Sequence, residues 1–372
     1  MPRLTVLATT DVHGTVLNWD YYRDRPWSGG EEAGLAHLAS VVERIRAERG
    51  PETVILVDNG DTIQGNPLCS FFASQDPAAR TSSHPLAAAF NVMGYDAVNI
   101  GNHEFNYGLG FLQDFARQLD APLLGANVID AVSGLPVFPA FTSVVRRLGG
   151  RQIRIGVLGL TTPGAMIWDR QQLEGLVEIT DMVQAAGHWV PRLRKEFLCD
   201  AVIVLCHAGI GQTTYATNAD APAENPAREI ASQVPGIDVM VIGHTHRDEP
   251  EQWVTCEATG QPVLLTQPKA HAAGLTEVTI DAEPEGDSWR IRVLGAVPHY
   301  SPGEHPTPQV TDAVSGAHAA TRSYVNQQVA TSPRELSTAD ARWRATGVID
   351  FIQWVQATTV AEARVGNTRT CP

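Results

Sequence analysis

Cysteine is scarce in this chain of 372 residues, and its positions exclude two common uses of the residue. The five cysteines are odd in number, widely scattered and without a Cys-x-x-Cys pair. Neither a disulfide framework nor a thiolate zinc site is therefore indicated. Free, partly buried thiols are predicted at Cys69, Cys199, Cys206, Cys256 and Cys371.

Long hydrophobic runs are also missing, although hydrophobic residues make up 43% of the chain and charged residues 18%. That composition is ordinary for a globular protein with a sizeable core. No stretch approaches the length of a membrane span, and the N-terminus lacks the long apolar segment of a signal peptide. The sequence therefore predicts a soluble chain without a membrane anchor, either cytoplasmic or a mature exported form.

Basic residues are few: the chain has 27 of them against 41 acidic residues, which gives a formal net charge of −14. A protein that binds a nucleic-acid polymer neutralises many phosphates and is usually basic, so extended DNA or RNA binding is not expected. A small phosphorylated ligand stays compatible with this charge, since bound cations reverse the local field. No segment indicates an obligate protein partner.

Short apolar runs alternate with amphipathic segments over the first two thirds of the chain, a pattern typical of a layered α/β fold. Strands are predicted at residues 4–9, 53–57, 97–100, 122–124, 153–158, 201–205 and 238–242. Helices are predicted at residues 31–49, 109–119 and 181–197. Beyond residue 260, strands at 263–265, 275–280 and 289–294 are expected to form an antiparallel sheet edge, followed by helices at 309–328 and about 348–355.

Polar clusters follow five of these strands directly, at the point where each strand ends. Ligands bind at the carboxyl ends of strands in an open α/β sheet, so separate loops would deliver these side chains to one edge. Imidazole and carboxylate together suit zinc, manganese or iron, and two such metals bridged by a carboxylate can promote attack of water on phosphorus. Each cluster alone is weak evidence, but the combination predicts a two-metal site. The residues concerned are Asp11, His13, Asp61, Asn102, His103, His207, His244 and His246.

The order of these clusters resembles the calcineurin-like metallophosphoesterases, and within them the 5′-nucleotidase group. The motifs TTDVHG, DNGDTIQGNPL, GNHEFNYGL, MIWD, AENP and GHTH are most similar to the branch of 2′,3′-cyclic-nucleotide 2′-phosphodiesterase/3′-nucleotidases. The resemblance implies a four-layer α/β/β/α sandwich of two mixed sheets flanked by helices. It also implies one metal held by Asp11, His13, Asp61 and His246, and a second held by Asp61, Asn102, His207 and His244.

The resemblance further implies roles on the substrate side of the metals. His103 would stabilise the phosphoryl oxygens and protonate the leaving alkoxide, beside Asn102 and His271. Asn106 stands where typical 5′-nucleotidases carry an aspartate; it can orient the imidazole but cannot stabilise imidazolium by charge. His246 stands where many 5′-nucleotidases carry glutamine. Both departures favour the phosphodiesterase branch.

The activity implied by the resemblance is hydrolysis of nucleotide phosphoesters with two divalent metals, drawn from manganese, zinc, cobalt and iron. A 2′,3′-cyclic nucleotide would be opened to a 3′-nucleotide and then dephosphorylated. A 5′-nucleotidase or broad phosphomonoesterase stays open as an alternative, and so does a non-catalytic remnant that only binds metal and ligand. The resemblance also implies a catalytic domain at 1–297, a linker and helical segment at 298–335, and the beginning of a truncated C-terminal nucleotide-binding domain at 336–372.

Overall fold

The structure, a computed structural model, describes residues 2–75, 82–215 and 222–367 of the chain. Two compact units are present, Met1–Val325 and Asn326–Pro372. The described strands are β1 (Arg3–Thr9), β2 (Val54–Asp58), β3 (Ala97–Asn99), β4 (Leu123–Leu124), β5 (Val128–Asp130), β6 (Phe141–Leu148), β7 (Arg151–Thr161), β8 (Val177–Ile179), β9 (Ala201–His207), β10 (Val239–Ile242), β11 (Glu249–Thr255), β12 (Pro262–Gln267), β13 (Gly274–Glu285) and β14 (Ser288–Tyr300). The described helices are α1 (Leu35–Arg49), α2 (Pro67–Ser74), α3 (Pro85–Met93), α4 (Leu109–Ala116), α5 (Ala165–Trp168), α6 (Arg170–Leu173), α7 (Met182–Lys195), α8 (Ala227–Gln233), α9 (Pro308–Val325) and α10 (Gly347–Asn367).

Two six-stranded mixed sheets organise the larger unit. The first has the order β14-β13-β1-β2-β3-β4, in which β1 to β4 run parallel and β13 pairs antiparallel with both β1 and β14. The second has the order β11-β12-β10-β9-β7-β6, with a parallel centre and an antiparallel strand at either edge. Each sheet therefore gathers several parallel carboxyl ends along one side.

Alternation of side chains along the strands explains how the layers pack. In β1, Leu4 and Val6 belong to a core shared by both sheets, whereas Leu7 belongs to a core shared with helices. On the outer faces, α1 and α3 cover the first sheet while α7 and α8 cover the second. Helix, sheet, sheet and helix thus form four layers, which confirms the predicted α/β/β/α sandwich.

The predicted start of the first helix is wrong, because α1 begins at Leu35 and not at residue 31. Gly34 precedes the helix with a φ of 143°, and its N–H donates to the carbonyl of Ala272. A Cβ on residue 34 would come within 2.9 Å of the Val16 carbonyl oxygen. The backbone ahead of α1 is therefore packed closely against neighbouring loops and cannot continue the helix.

The pairing predicted beyond residue 260 is correct only for the last two strands. β13 and β14 do form an antiparallel pair at the edge of the first sheet. β12, however, pairs parallel with β10 in the second sheet, so a single antiparallel edge is the wrong description. The side chains of β12 after Pro262 are buried throughout, as expected for a strand covered on both faces.

Four of the five cysteines lie within the described residues. Cys69, Cys199, Cys206 and Cys256 are buried and unpaired, which confirms the predicted free thiols at these positions; Cys371 lies outside the described residues.

In the described part of the chain, no helix has the length and apolar character that crossing a membrane requires.

The helix predicted at about residues 348–355 is present in the smaller unit. α10 includes the predicted segment 348–355 and extends to Asn367. The division of the chain near residues 297 and 335, and the assignment of its last part to a nucleotide-binding domain, stay predictions.

Candidate active site

Loops at the carboxyl ends of strands from both sheets converge at one end of the larger unit. The Asp11 N–H, after β1, donates to the carbonyl of Gly60, after β2, at 2.9 Å. The His244 N–H, after β10 of the other sheet, donates to Oδ1 of Asp11 at 3.0 Å. Hydrogen bonds between the loops therefore hold the ends of the two sheets together. The predicted metal ligands on these loops are Asp11, His13, Asp61, Asn102, His207, His244 and His246.

Asp11, His13, Asp61 and His246 form the first group of candidate metal ligands, with one ligand atom from each lying within 4.8 Å of the others. The Gln64 carbonyl is hydrogen-bonded to Nδ1 of His13 at 2.8 Å, which leaves Nε2 free to bind a metal. That atom lies 2.9 Å from Nε2 of His246. Nε2 of His246 in turn lies 3.4 Å from Oδ1 of Asp11. Several potential donor atoms therefore face one small space.

Asp61 also belongs to a second group of candidate ligands, together with His207 and His244. Nδ1 of His207 is hydrogen-bonded to the Asn59 carbonyl at 2.8 Å, and Nε2 of His244 to Glu224 at 2.9 Å. The ring nitrogens that stay available for a metal are therefore Nε2 of His207 and Nδ1 of His244. Nε2 of His207 lies 3.1 Å from Oδ2 of Asp61. Because Asp61 is common to both groups, its carboxylate is placed where it can bridge two metals.

Two buried atoms at this site lack a hydrogen-bond partner among the described residues, namely Oδ1 of Asn102 and Nε2 of His207. Asp61 lies close to the second atom, but that contact does not have the geometry of a hydrogen bond. An unpaired buried polar atom costs about 1–3 kcal/mol, so native structures seldom leave one without a partner. A cation would satisfy both atoms. The donor set of imidazole, carboxylate and amide oxygen therefore fits a divalent metal.

The backbone is strained at most of the candidate metal ligands, the exceptions being Asn102 and His207. A positive φ is uncommon outside glycine, costs about 1–3 kcal/mol, and recurs at functional sites, where surrounding structure enforces it. The site residues with a positive φ are Asp11 at 50°, His13 at 48°, Asp61 at 56°, His244 at 70°, His246 at 53° and His271 at 59°. The loops are thus held in unfavourable conformations at the positions where the polar side chains converge.

Burial and charge act in opposite directions on the titratable groups of the cluster. Burial alone would raise the pKa of Asp61, but the charges of His207 and His13 outweigh burial and lower that pKa. Burial likewise disfavours the charged form of His207, yet Asp61 raises the His207 pKa to about 10. The pKa of His271 falls to about 4, first because the ring is buried and then because His13 and His246 lie nearby. His271 is therefore neutral at pH 7.

His103 lies beside the cluster but belongs to neither ligand group found among the described residues. Its backbone N–H donates to Oδ1 of Asp61 at 2.8 Å, and its ring centroid lies 5.3 Å from that of His13. Nδ1 of His103 is hydrogen-bonded to Oδ1 of Asn106 at 2.7 Å. The Asn106 side chain therefore orients the ring and leaves Nε2 as the nitrogen without this bond.

Two carboxylates that sequence analysis gives no role support the ligand loops. Glu224 is hydrogen-bonded to Nε2 of His244, which fixes the orientation of that ring. Glu104 is buried and accepts hydrogen bonds from the backbone N–H groups of Asp61 at 2.8 Å, Thr62 at 2.6 Å, Ile63 at 3.1 Å and Gly101 at 2.6 Å. Both residues stand inside motifs that carry the family resemblance, AENP and GNHEFNYGL, and this is the sequence signal that could have indicated them.

His271 lies at the edge of a cavity of about 510 Å³ that adjoins the first ligand group. His13, Trp19, Tyr22 and Trp27 also line this cavity. The ring centroids of His271 and His13 are 5.2 Å apart. Cavities that bind small molecules usually measure about 300–1,000 Å³, so this one has room for a small ligand beside the candidate metal ligands.

Comparison with protein families agrees with this geometry. The family model for the calcineurin-like phosphoesterases matches residues 4–248, which contain every candidate metal ligand. The chain belongs to the calcineurin-like phosphoesterase family, whose members use divalent metals.

Similar proteins include two bacterial relatives that share one name, 2′,3′-cyclic-nucleotide 2′-phosphodiesterase/3′-nucleotidase. The relative from Yersinia enterocolitica is 40% identical over 248 residues, which cover 65% of this chain and 36% of that protein. The relative from Haemophilus influenzae is 33% identical over 345 residues, which cover 88% of this chain and 51% of that protein. The chain thus spans between about a third and a half of the length of these relatives.

A solved structure with the same fold is the calcineurin-like phosphoesterase YfkN from Bacillus subtilis. It matches with a TM-score of 0.76 at 29% sequence identity. The match covers 88% of this chain and 99% of that chain. The two-sheet architecture is therefore that of a solved calcineurin-like phosphoesterase.

Proposed function

We propose that this chain is a two-metal hydrolase of nucleotide phosphoesters, which opens 2′,3′-cyclic nucleotides and then removes the resulting 3′-phosphate. The observation that carries the proposal is the sharing of Asp61 between two groups of candidate ligands, beside a histidine that belongs to neither group. The names of the relatives from Yersinia enterocolitica and Haemophilus influenzae support the same class of substrate.

The proposed reaction uses two sets of metal ligands. One metal would be held by Asp11, His13, Asp61 and His246, and the other by Asp61, Asn102, His207 and His244. Two divalent cations at these positions supply Lewis-acid chemistry, because they offset charge on the phosphoryl oxygens and make a water more acidic. These ligand types suit manganese, zinc, cobalt and iron alike.

His103 acts on the leaving group in this proposal. In the first hydrolysis, water forms a P–O bond and gives up one proton to solvent, the P–O2′ bond breaks, and O2′ takes a proton from Nε2 of His103. In the second, after His103 has regained a proton from solvent, another water forms a P–O bond, the P–O3′ bond breaks, and O3′ takes the proton from Nε2. Asn106 holds the opposite ring nitrogen throughout. Asn102, His103 and His271 face the substrate, and the neutral His271 at the cavity edge is placed to contact the nucleoside.

Hydrolysis of four esters by purified protein with added Mn²⁺ tests the proposal. The esters are 2′,3′-cyclic AMP, 3′-AMP, 5′-AMP and bis(p-nitrophenyl) phosphate. We expect the first two to be hydrolysed at least about tenfold faster than 5′-AMP, because the hydrogen-bonding groups of a site reject a misplaced phosphate.

The same assay separates the alternatives. Faster hydrolysis of 5′-AMP would replace the proposal with a 5′-nucleotidase. Turnover of the synthetic ester alone would show a competent metal site that does not act on nucleotides. No turnover despite two bound metals per chain would leave a ligand-binding remnant, in which the orientation of His103 by Asn106 has no catalytic purpose.

A further inference from the structure

Two consecutive hydrogen bonds connect His103 to a carboxylate outside the candidate ligand groups. Oδ1 of Asn106 binds Nδ1 of His103 at 2.7 Å, and Nδ2 of Asn106 donates to Oδ1 of Asp169 at 2.7 Å. We propose that Asp169 is a positioning residue for His103 and acts through the side-chain amide of Asn106. This inference rests on the proposed function, because His103 is the proton donor of that reaction.

The carboxylate determines which nitrogen of His103 carries a hydrogen. An ionised carboxylate only accepts hydrogen bonds, so Asp169 requires the Asn106 amide to present its NH₂ group. The amide oxygen then faces His103, where it accepts a hydrogen bond and cannot donate one. Nδ1 of His103 must therefore carry a hydrogen, which leaves Nε2 to exchange the proton of the reaction.

Without the carboxylate, nothing of comparable strength selects this orientation of the amide. The oxygen and the NH₂ group of an asparagine are similar in size, so the side chain can turn over at little steric cost. In the turned amide, the NH₂ group of Asn106 would face His103 and favour the ring with hydrogen on Nε2. Nδ1 would then accept a hydrogen bond from the amide and could not also carry a hydrogen, so the ring could not hold a hydrogen on both nitrogens and release the one on Nε2 to the leaving group.

The segment that carries Asp169 is well placed for this purpose. Trp168, the preceding residue, stacks on His244 with ring centroids 5.4 Å apart and an angle of 25° between the planes. Within the described residues, the Asp169 carboxylate forms no ion pair with a basic side chain. The adjacent Arg170 pairs with Glu174 instead, at 2.6 Å. The same short segment thus contacts a candidate metal ligand and orients the proton donor.

Two variants test the role of the carboxylate. Asp169→Asn should lower kcat for 3′-AMP about tenfold with KM unchanged, because in part of the population Nδ1 of His103 carries no hydrogen and the ring cannot release a proton from Nε2. The double variant Asn106→Asp/Asp169→Asn exchanges the two side chains. Its carboxylate at position 106 accepts directly from Nδ1–H, and the amide at 169 can donate to that carboxylate. We expect the exchange to restore kcat to within about threefold of the wild type.

Esters with different leaving groups distinguish a loss of His103 positioning from a general structural defect of the variant. Bis(p-nitrophenyl) phosphate releases a phenolate that needs no proton, so Asp169→Asn should slow its hydrolysis by no more than about twofold. Glu174→Gln is the matched control, because it removes an exposed negative charge from the same segment without touching Asn106. This control should leave both rates unchanged.

Nitrogen NMR of the His103 ring supplies a readout that does not depend on turnover. In zinc-loaded protein, at a pH where the ring is neutral, we expect Nδ1–H in the wild type and a mixture of tautomers in Asp169→Asn. The same tautomer in both proteins, an equal rate loss on both esters, or no restoration by the exchange would each overturn the inference. If the wild type hydrolyses neither ester but the tautomer changes as expected, the proposed function fails while the positioning of the ring stands.

Discussion

Replacement of His103 by alanine is expected to lower kcat for 3′-AMP by about a thousandfold while both metals stay bound. The ring belongs to neither group of candidate ligands. Alanine also retains the backbone N–H that donates to Asp61 at 2.8 Å, so the ligand loop keeps this bond. The variant loses the ring that, in the proposed reaction, contacts the phosphoryl oxygens and supplies the proton for the leaving alkoxide. Measurement of kcat together with metal content per chain checks this expectation.

A histidine remote from the site provides the matched control. His188 is exposed on α7, where it contacts Arg192, and His188→Ala should retain both the rate and the metals. Hydrolysis of the p-nitrophenyl ester by His103→Ala should fall much less than that of 3′-AMP, because p-nitrophenolate leaves without a proton. Full activity of His103→Ala towards 3′-AMP would contradict the assigned role, and so would a loss of metal that accounts for the lost rate.

The second large effect is expected for Asp61→Asn, which should abolish turnover by weakening metal binding at least about a hundredfold. Asp61 is almost completely buried and is common to both candidate ligand groups. Its Oδ2 lies 3.1 Å from Nε2 of His207 and 3.8 Å from Nε2 of His13. Asparagine keeps the volume of the side chain but removes the negative charge that would offset the two proposed cations.

Metal content after equilibrium dialysis, measured over a range of Mn²⁺ concentrations, checks the expectation for Asp61. The control is Asp114→Asn, since Asp114 is a partly exposed aspartate of α4 that pairs with Arg117. This control should bind two metals like the wild type. Wild-type affinity for two metals in Asp61→Asn would show that the carboxylate does not bridge them.

The strands that carry the candidate ligands could be predicted because their sequence signals are local. β9, for example, is an uninterrupted apolar run from Ala201 that ends at His207, and β10 ends just before Gly243 and His244. A buried parallel strand followed by a polar turn needs no knowledge of distant contacts. The convergence of these turns then follows from the general position of ligand sites in α/β sheets.

Interactions between distant segments could not be predicted in the same way. The hydrogen bond from Asn106 to Asp169 spans 63 residues, and that from Asp61 to Glu104 spans 43. An isolated Asp or Glu in a sequence is most often a solvated surface residue, so the motifs that contain these carboxylates, GNHEFNYGL and MIWD, do not show which backbone or side-chain groups they support. The parallel pairing of β12 with β10 also depends on the way the chain returns to the sheet.

Two helices that were not predicted begin at clear local signals in the sequence. α2 and α3 each begin with a side-chain cap followed by proline, at Asn66-Pro67 and His84-Pro85. Proline at the first helical position after such a cap is a known start signal. These short helices therefore could have been predicted from the sequence, in contrast to the contacts of Asp169 and Glu104.

Stepwise metal titration of the stripped protein tests the two-metal account most directly. The chain is treated with EDTA, the chelator is removed, and hydrolysis of 2′,3′-cyclic AMP is followed as Mn²⁺ is added. The account predicts no turnover before addition and a rate that reaches its plateau at two equivalents per chain, since Asp61 joins two ligand groups. Hydrolysis that persists undiminished in the stripped protein, or a plateau at a single equivalent, would contradict it.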